Sequence, residues 1–309
     1  MDIYQQPLIS IIIPVFNRDI ELIRCLSSVS NQIFSENFEV VVVNDGSTQN
    51  LDHIINNFQN KLNLSYIKID NSGGPARPRN VGAKNSKGAW ISFLDCDDVW
   101  DKNRLLEISK HLSLFKEGIL YHKLKVVDEK KKFIPFYNNS VGSKIYLNPL
   151  DQFMKCGNPI PNSSAVIDRK SFFDLGGFDE SEEMRAYEDF DLWIRAAKRK
   201  LNFLYIDKLL GSYYISSDSI SKISIQIINR QKFFYKKHHF KNFPSNCKNK
   251  IKSYRRYNLG TLYMNNFNYK KRAFVLLKNA NDLCAFKNKL SRAIKIIRLN
   301  FNTKIKTGL

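Results

Sequence analysis

Asp95-Cys96-Asp97-Asp98 places three carboxylates in four residues, directly after the apolar run Trp90-Ile91-Ser92-Phe93-Leu94. Crowded acids repel, so at least one holds its proton more tightly unless a cation offsets the charge. Hard oxygen ligands suit Mg2+ or Mn2+, with a phosphate oxygen completing the shell. The plainer alternative is a helix N-terminus, where the helix dipole favours acids. A second acidic group, Glu188-Asp189-Phe190-Asp191, opens a helical pattern of its own, in which Leu192 pairs with Ala196 and Trp193 with Ala197. The same dipole argument applies to it. Asn44-Asp45-Gly46-Ser47 could hold a nucleobase or ribose through Asp45, or simply cap the next helix. Gly73-Gly74-Pro75-Ala76-Arg77-Pro78-Arg79-Asn80 combines a flexible backbone with two arginines, suited to phosphate or ribose, or to an ordinary turn. Neither loop is the glycine fingerprint of a dinucleotide site or of a P-loop. The histidines at 53, 111, 122, 238 and 239 show no ligand spacing and read as solvated or structural.

The elements that must carry these groups alternate in type. Ile9 to Val15 is a β-branched run of the kind a strand buried on both faces shows. Asn17 and Asp19 offer caps for a helix to about Gln32, with Leu22, Cys25, Leu26 and Val29 at helical spacing. A second strand from Phe38 runs into the Asp45 turn, a helix pattern holds Leu51, Ile54, Ile55 and Phe58, and Leu64 to Ile69 alternates as a third strand. A short helix and the strand at 89–94 follow. This rhythm predicts an α/β fold with a mostly parallel sheet flanked by helices, whose ligands sit beyond the strands' carboxyl ends. Asp45 and Asp95 both fall at such ends.

Charge divides the chain. Residues 1–200 carry 26 basic and 26 acidic side chains, whereas 201–309 carry 23 basic and only Asp207, Asp218 and Asp282, so the whole net charge of +20 lies in the last third. We expect a front domain over 1–215 and a basic, mainly helical region over 216–309. A 43% hydrophobic fraction supplies a real core and excludes a disordered chain. Five scattered cysteines, none in a C-x-x-C pair, fit neither a disulfide framework nor a zinc site. The N-terminal residues lack a secretory pattern and no apolar run has the roughly 20 residues of a spanning helix. The expectation is a cytoplasmic protein.

In order along the chain, ISIIIPVFNR, FEVVVVNDGST, GGPARPRNVGA, GAWISFLDCDDVW, GGFDE and EDFDLWIR resemble the inverting family 2 glycosyltransferases of GT-A fold, over about residues 8–215. The resemblance implies a nucleotide-sugar site. Asp45 would bind the base, expected to be uracil, with Pro14, Asn17 and Arg18 lining the same pocket. Gly74 and Arg79 would contact the donor. Asp95 and Asp97 would form the D-x-D motif, with Asp97 or Asp98 holding Mn2+ or Mg2+ on the diphosphate. Asp189 would be the general base, with Asp191 its rival. The implied activity is transfer of a hexose or N-acetylhexosamine from a UDP-sugar to a glycan, with a polyprenyl-diphosphate-linked oligosaccharide of O-antigen or capsule type as acceptor. Two departures stand out. Asn44 replaces the first acid of the usual Asp-Asp-Gly-Ser, and Tyr214 and Ser216 stand where the family often has Arg and His.

The basic region admits two partners. Lys and Arg interleaved with aromatics, as in Phe233-Phe234-Tyr235-Lys236-Lys237, suit nucleic acid on a non-catalytic α/β scaffold. Leu290, Ile294, Ile297 and Phe301 form a stripe beside Arg292, Lys295 and Arg298, which suits an anionic membrane surface. Enzymes on lipid-linked sugars need membrane proximity, so the expected setting is peripheral at the inner face of the plasma membrane, without nucleic acid.

Overall fold

The computed structural model describes residues 7–128, 140–215, 224–238, 245–264, 269–283, 288–289 and 291–296. The chain forms two compact units, one of 1–145 with 159–219 and the other of 146–158 with 220–309.

In the first unit, β1 (Ile9–Val15) is buried along its whole length, as its β-branched run requires. It pairs in parallel with β2 (Phe38–Asp45) on one side and β4 (Trp90–Phe93) on the other, and β2 pairs in parallel with β3 (Leu64–Ile69). The helices α1 (Asp19–Ser30), α2 (Asp52–Gln59) and α3 (Ala76–Asn85) make the crossovers. Leu22, Cys25, Leu26 and Val29 of α1, and Ile54, Ile55 and Phe58 of α2, are buried, as their spacing predicts. Beyond β4 the sheet becomes mixed. β8 (Val166–Asp168) runs antiparallel to β4 and to β6 (Ile119–Asp128), β6 pairs in parallel with β9 (Phe203–Ile215), and β5 (Val99–Trp100) closes the edge antiparallel to β9. The short β7 (Ser140–Val141) flanks β6. The helices α4 (Arg104–Leu112), α6 (Arg169–Asp174) and α7 (Glu188–Lys198) complete this α/β unit. The pattern along the chain foresaw the parallel half. The returning strands β6, β8 and β9 carry no comparable rhythm.

The close fit of α3 to the sheet depends on Gly82. A Cβ there would press inside van der Waals contact of Ile12 Cγ2 and stand 3.1 Å from Val43 Cγ2. Neither strand residue can retreat, so Gly82→Ala is expected to lower the urea midpoint, at about 1–3 kcal/mol for overpacking. Arg104 of α4 is fully buried, and among the described residues no acid pairs with it. Its Nε donates to His122 Nε2 at 2.9 Å and its Nη2 to Ser92 Oγ at 2.9 Å, and its guanidinium lies 3.5 Å from the Trp100 ring centroid. Burial and this cation hold His122 well below its usual proton affinity, as a neutral acceptor.

In the second unit, α5 (Pro149–Cys156), α8 (Ile225–Lys237), α9 (Ser245–Met264) and α10 (Lys270–Lys278) are helices. A core of Ile228, Tyr257, Leu259, Tyr263, Ala273, Leu277 and Leu283 sits among them. Of the expected amphipathic stripe, Leu290, Ile297, Arg298 and Phe301 lie outside the described residues, as does Ser216. Arg292 donates to the carbonyls of Leu277 and Lys278, and Lys295 donates to Tyr257 Oη and Thr261 Oγ1. These two cations therefore satisfy groups of their own unit. No described helix is long and apolar enough to cross a membrane.

Candidate nucleotide-sugar site

Three parallel strands deliver their turn residues to one edge of the sheet. Asn17, just past β1, adopts φ +50°, and its Oδ1 accepts from Thr48 N at 2.8 Å and Thr48 Oγ1 at 3.1 Å. Asn44 is buried, donates to Tyr66 Oη at 2.8 Å and accepts from Ser47 N at 2.8 Å, so it shapes the turn. Asp45 accepts from Ser72 N at 2.9 Å and Ser72 Oγ at 3.0 Å. Burial raises its proton affinity, while the Ser72 donors, Arg77 and Arg185 act against that rise. Arg185 lies flat across the loop after β3. A Cβ on Gly73 would come 2.5 Å from its Nη2, and one on Gly74 3.1 Å from its Nε, and Gly73 adopts φ +78°, which a side chain would strain.

The acid turn after β4 is held from several sides. Asp95 Oδ1 accepts from Arg79 Nη2 at 2.5 Å. Asp98 is 1% exposed, its Oδ1 accepting from Tyr214 N at 3.0 Å and its Oδ2 from Ser163 Oγ at 2.5 Å. Burial raises it well above the ordinary carboxylate range. Arg24 Nη2 donates to the Asp97 carbonyl at 2.8 Å, and its guanidinium stacks 3.7 Å from the Tyr214 ring centroid. Asp97 is half-buried, and among the described residues its carboxylate takes no hydrogen bond or ion pair from another residue. Burial first, then the neighbouring Asp95 charge, push it up to about 6, with Arg18 opposing.

Arg79 joins this turn to the second acidic group. It is 3% exposed, and its Nη1 donates to Glu188 Oε1 at 2.8 Å. With its amide oxygen turned inward, Asn162 accepts from Arg79 Nε and Nη2 at 3.2 Å each. Glu188 Oε2 is buried without a hydrogen-bond partner among the described residues. Asp189 follows in the first turn of α7 and is half-buried. Burial and then the Glu188 charge push it up to about 7, while Arg79 and the Phe190 amide act against them.

No three His, Cys, Asp or Glu side chains among the described residues are grouped to hold a metal by themselves. That fits Mg2+ or Mn2+, which commonly takes one or two carboxylates and completes its shell with substrate phosphates and water. Asp97, a hard oxygen donor that takes no bond from another residue among the described ones, is the member of the turn suited to this.

A family model described as "Glycosyl transferase family 2" matches residues 10–172, more than half of the chain. The chain belongs to glycosyl transferase family 2. An uncharacterized glycosyltransferase of Rickettsia bellii is 32% identical over 194 residues, 62% of this chain and 27% of that protein. The poly(ribitol-phosphate) β-N-acetylglucosaminyltransferase TarS of Staphylococcus aureus is 26% identical over 227 residues, 73% of this chain and 38% of TarS. The chain thus spans well under half the length of either relative. The structure of TarS 1–349 in complex with UDP-GlcNAc superposes with TM-score 0.64 at 20% identity, covering 88% of this chain and 80% of that one. The mannosyltransferase PcManGT from Pyrobaculum calidifontis, in complex with GDP-Man and Mn2+, superposes with TM-score 0.61 at 16% identity, covering 94% and 80%. These likenesses speak for the fold.

Four of the residues named from sequence are held by partners within the protein. Arg79 is buried between two protein acids, so its guanidinium is not offered to a donor. Asp98 is buried with both oxygens on protein donors, Ser163 Oγ and Tyr214 N. Asp191 is fully buried and accepts from Arg195 Nε at 2.7 Å, while Arg195 also binds the carbonyls of Leu175 and Gly177. That pair fastens α7 to the glycine turn before it. Arg18 pairs with Glu21 at 2.7 Å, and its charge is felt at Asp97. Pro14 is buried in β1 opposite Val43. Sequence reading passed over Asn162, Ser163 and Arg185. Asn162 and Ser163 sit in Pro161-Asn162-Ser163-Ser164, a polar run after a proline, which is the one local signal there.

Proposed function

We propose that this chain catalyses inverting, metal-dependent transfer of a hexose or N-acetylhexosamine from a UDP-sugar to a glycan. The observation that carries the reading is the pairing of two acidic groups with different tasks through one buried arginine. Asp97 is the cation-facing acid, and Asp189 is a half-buried carboxyl tuned to about 7. A base is most effective when its proton affinity lies near the working pH. Asp189 takes the proton of the acceptor hydroxyl as that oxygen bonds to the anomeric carbon, and the bond from that carbon to the diphosphate breaks on the opposite face. Transfer then needs only alignment of the two reactants. The divalent cation held by Asp97, when bound, supplies Lewis-acid stabilisation of the charge growing on the departing diphosphate. Asp45, with the loops of Asn17 and Gly74, takes the base and ribose.

The acceptor we propose is a polyprenyl-diphosphate-linked oligosaccharide of surface-polysaccharide synthesis, met at an anionic membrane face. The support is the basic composition of 216–309 and the family's chemistry. With Arg292 and Lys295 engaged inside their unit, contact with lipid falls to other cations such as Lys248 and Lys252, and places the chain at the inner face of the membrane. TarS is named a poly(ribitol-phosphate) β-N-acetylglucosaminyltransferase, so a relative is named for a phosphate-bearing polymer.

Thermal unfolding tests the reading. UDP with Mn2+ is expected to raise the midpoint, since a ligand at 100 times its Kd adds about 2.7 kcal/mol to the folded state. Asp97→Ala should remove the metal-dependent part. A shift with an oligonucleotide and none with UDP and Mn2+ would refute the enzyme and favour a nucleic-acid partner.

A further inference from the structure

We propose that Ser163 is a positioning residue that aims Asp97, by lacing the acid turn at three points. The proposal rests on reading that turn as the donor-diphosphate site. Ser163 is 1% exposed, in the short helical turn Asn162–Ser164 ahead of β8. Its Oγ accepts from Asp95 N at 3.1 Å and donates to Asp98 Oδ2 at 2.5 Å, and its carbonyl accepts from Trp100 Nε1 at 2.8 Å. The hydroxyl oxygen therefore bridges the Asp95 amide and the Asp98 carboxyl. A single small residue so defines the start, the middle and the end of the segment 95–100.

The anchor is itself rigid. The Ser164 hydroxyl donates to the Pro161 carbonyl at 2.8 Å, and Trp100 is stacked on Arg104, which is locked to His122 and Ser92. Asp98 carries the restraint further, because its other oxygen takes the Tyr214 amide at the end of β9. Asp97 stands between two residues pinned by the same hydroxyl, so its carboxylate direction follows from the turn and not from bonds of its own. Groups that orient a ligand residue in this way typically change metal affinity about 10–100-fold when removed.

The experiment measures UDP affinity by calorimetry, with and without Mn2+, on the full chain, and the unfolding midpoint without ligand. Ser163→Ala is expected to weaken UDP binding in Mn2+ by about 10–100-fold while leaving metal-free UDP binding unchanged. Asp98→Asn keeps an acceptor for the Tyr214 amide but disturbs the Ser163 contact, so it should weaken the same affinity and retain a measurable response to Mn2+. Combining it with Ser163→Ala should add little, because both changes break one contact. The clamp is overturned if Ser163→Ala lowers only the midpoint, or weakens UDP equally with and without metal. It is also overturned if Asp98→Asn loses all response to Mn2+, as Asp97→Ala should, because Asp98 would then be a ligand. Wild-type protein with no Mn2+-dependent UDP binding would refute the functional reading itself, a result separate from any failure of Ser163.

Discussion

Asp189→Asn should lower the transfer rate by about 10²–10⁴-fold, the usual worth of a positioned base, with UDP affinity in Mn2+ unchanged. The amide keeps the shape and the acceptor oxygen for the Phe190 amide, 2.6 Å from Asp189 Oδ1, but cannot take a proton. The pH profile gives a second readout. A base works deprotonated, so the wild-type rate should climb with pH and level off above about 7, where burial and Glu188 have set the Asp189 carboxyl. Below that point protonated Asp189 should remove activity about tenfold per pH unit. The variant should lack this limb. Asp191→Asn, which perturbs a buried pair with Arg195, should lower stability and keep the limb. Near-normal turnover by Asp189→Asn together with a dead Asp191→Asn would reverse the assignment.

The other large effect is expected at Arg79. Arg79→Met leaves Glu188 buried and Asp95 partly buried without their shared cation. The Arg79 and Glu188 side chains are only 4% and 6% exposed. Breaking a buried pair on one side typically costs about 3–5 kcal/mol, because the remaining charge is stranded. Urea denaturation should show that loss as a lower midpoint with an unchanged slope. Adding Glu188→Gln to Arg79→Met removes one stranded charge and should recover part of the stability. Arg79 is also among the charges that restrain proton uptake by Asp189. Whatever activity Arg79→Met retains should therefore show its rising limb moved to higher pH. A variant with wild-type stability and an unmoved limb would show that the bridge does not join the two acidic groups.

On the proposed reading, a proton-accepting acid and a cation-facing acid stand on separate elements of one sheet edge. Like-charged groups of this kind need a permanent counter-charge between them if the fold is to tolerate both. Arg79 supplies it from α3, and Asn162 steadies the guanidinium from the turn before β8.

The sequence by itself determined the elements and the places where chemistry can sit. β-branched runs bury on both faces, so Ile9–Val15 and Phe38–Asp45 read as inner strands, and the helical spacing of Leu22, Cys25, Leu26 and Val29 marked the face of α1. Those signals are local, because backbone periodicity and turn chemistry act over a few residues. How each acid is held was decided only by tertiary structure. Asp97 and Asp98 are adjacent and chemically alike, yet among the described residues the first takes no donor from another residue and the second takes two, from Ser163 and Tyr214. Asp189 and Asp191 share a helix turn, yet α7 leaves the first half-buried and buries the second on Arg195. Arg79 meets Glu188 across 109 positions of chain. A side chain's hydrogen-bond partners and burial are set by which elements pack against it, and in a parallel sheet those elements come from distant sequence, so no local pattern encodes them.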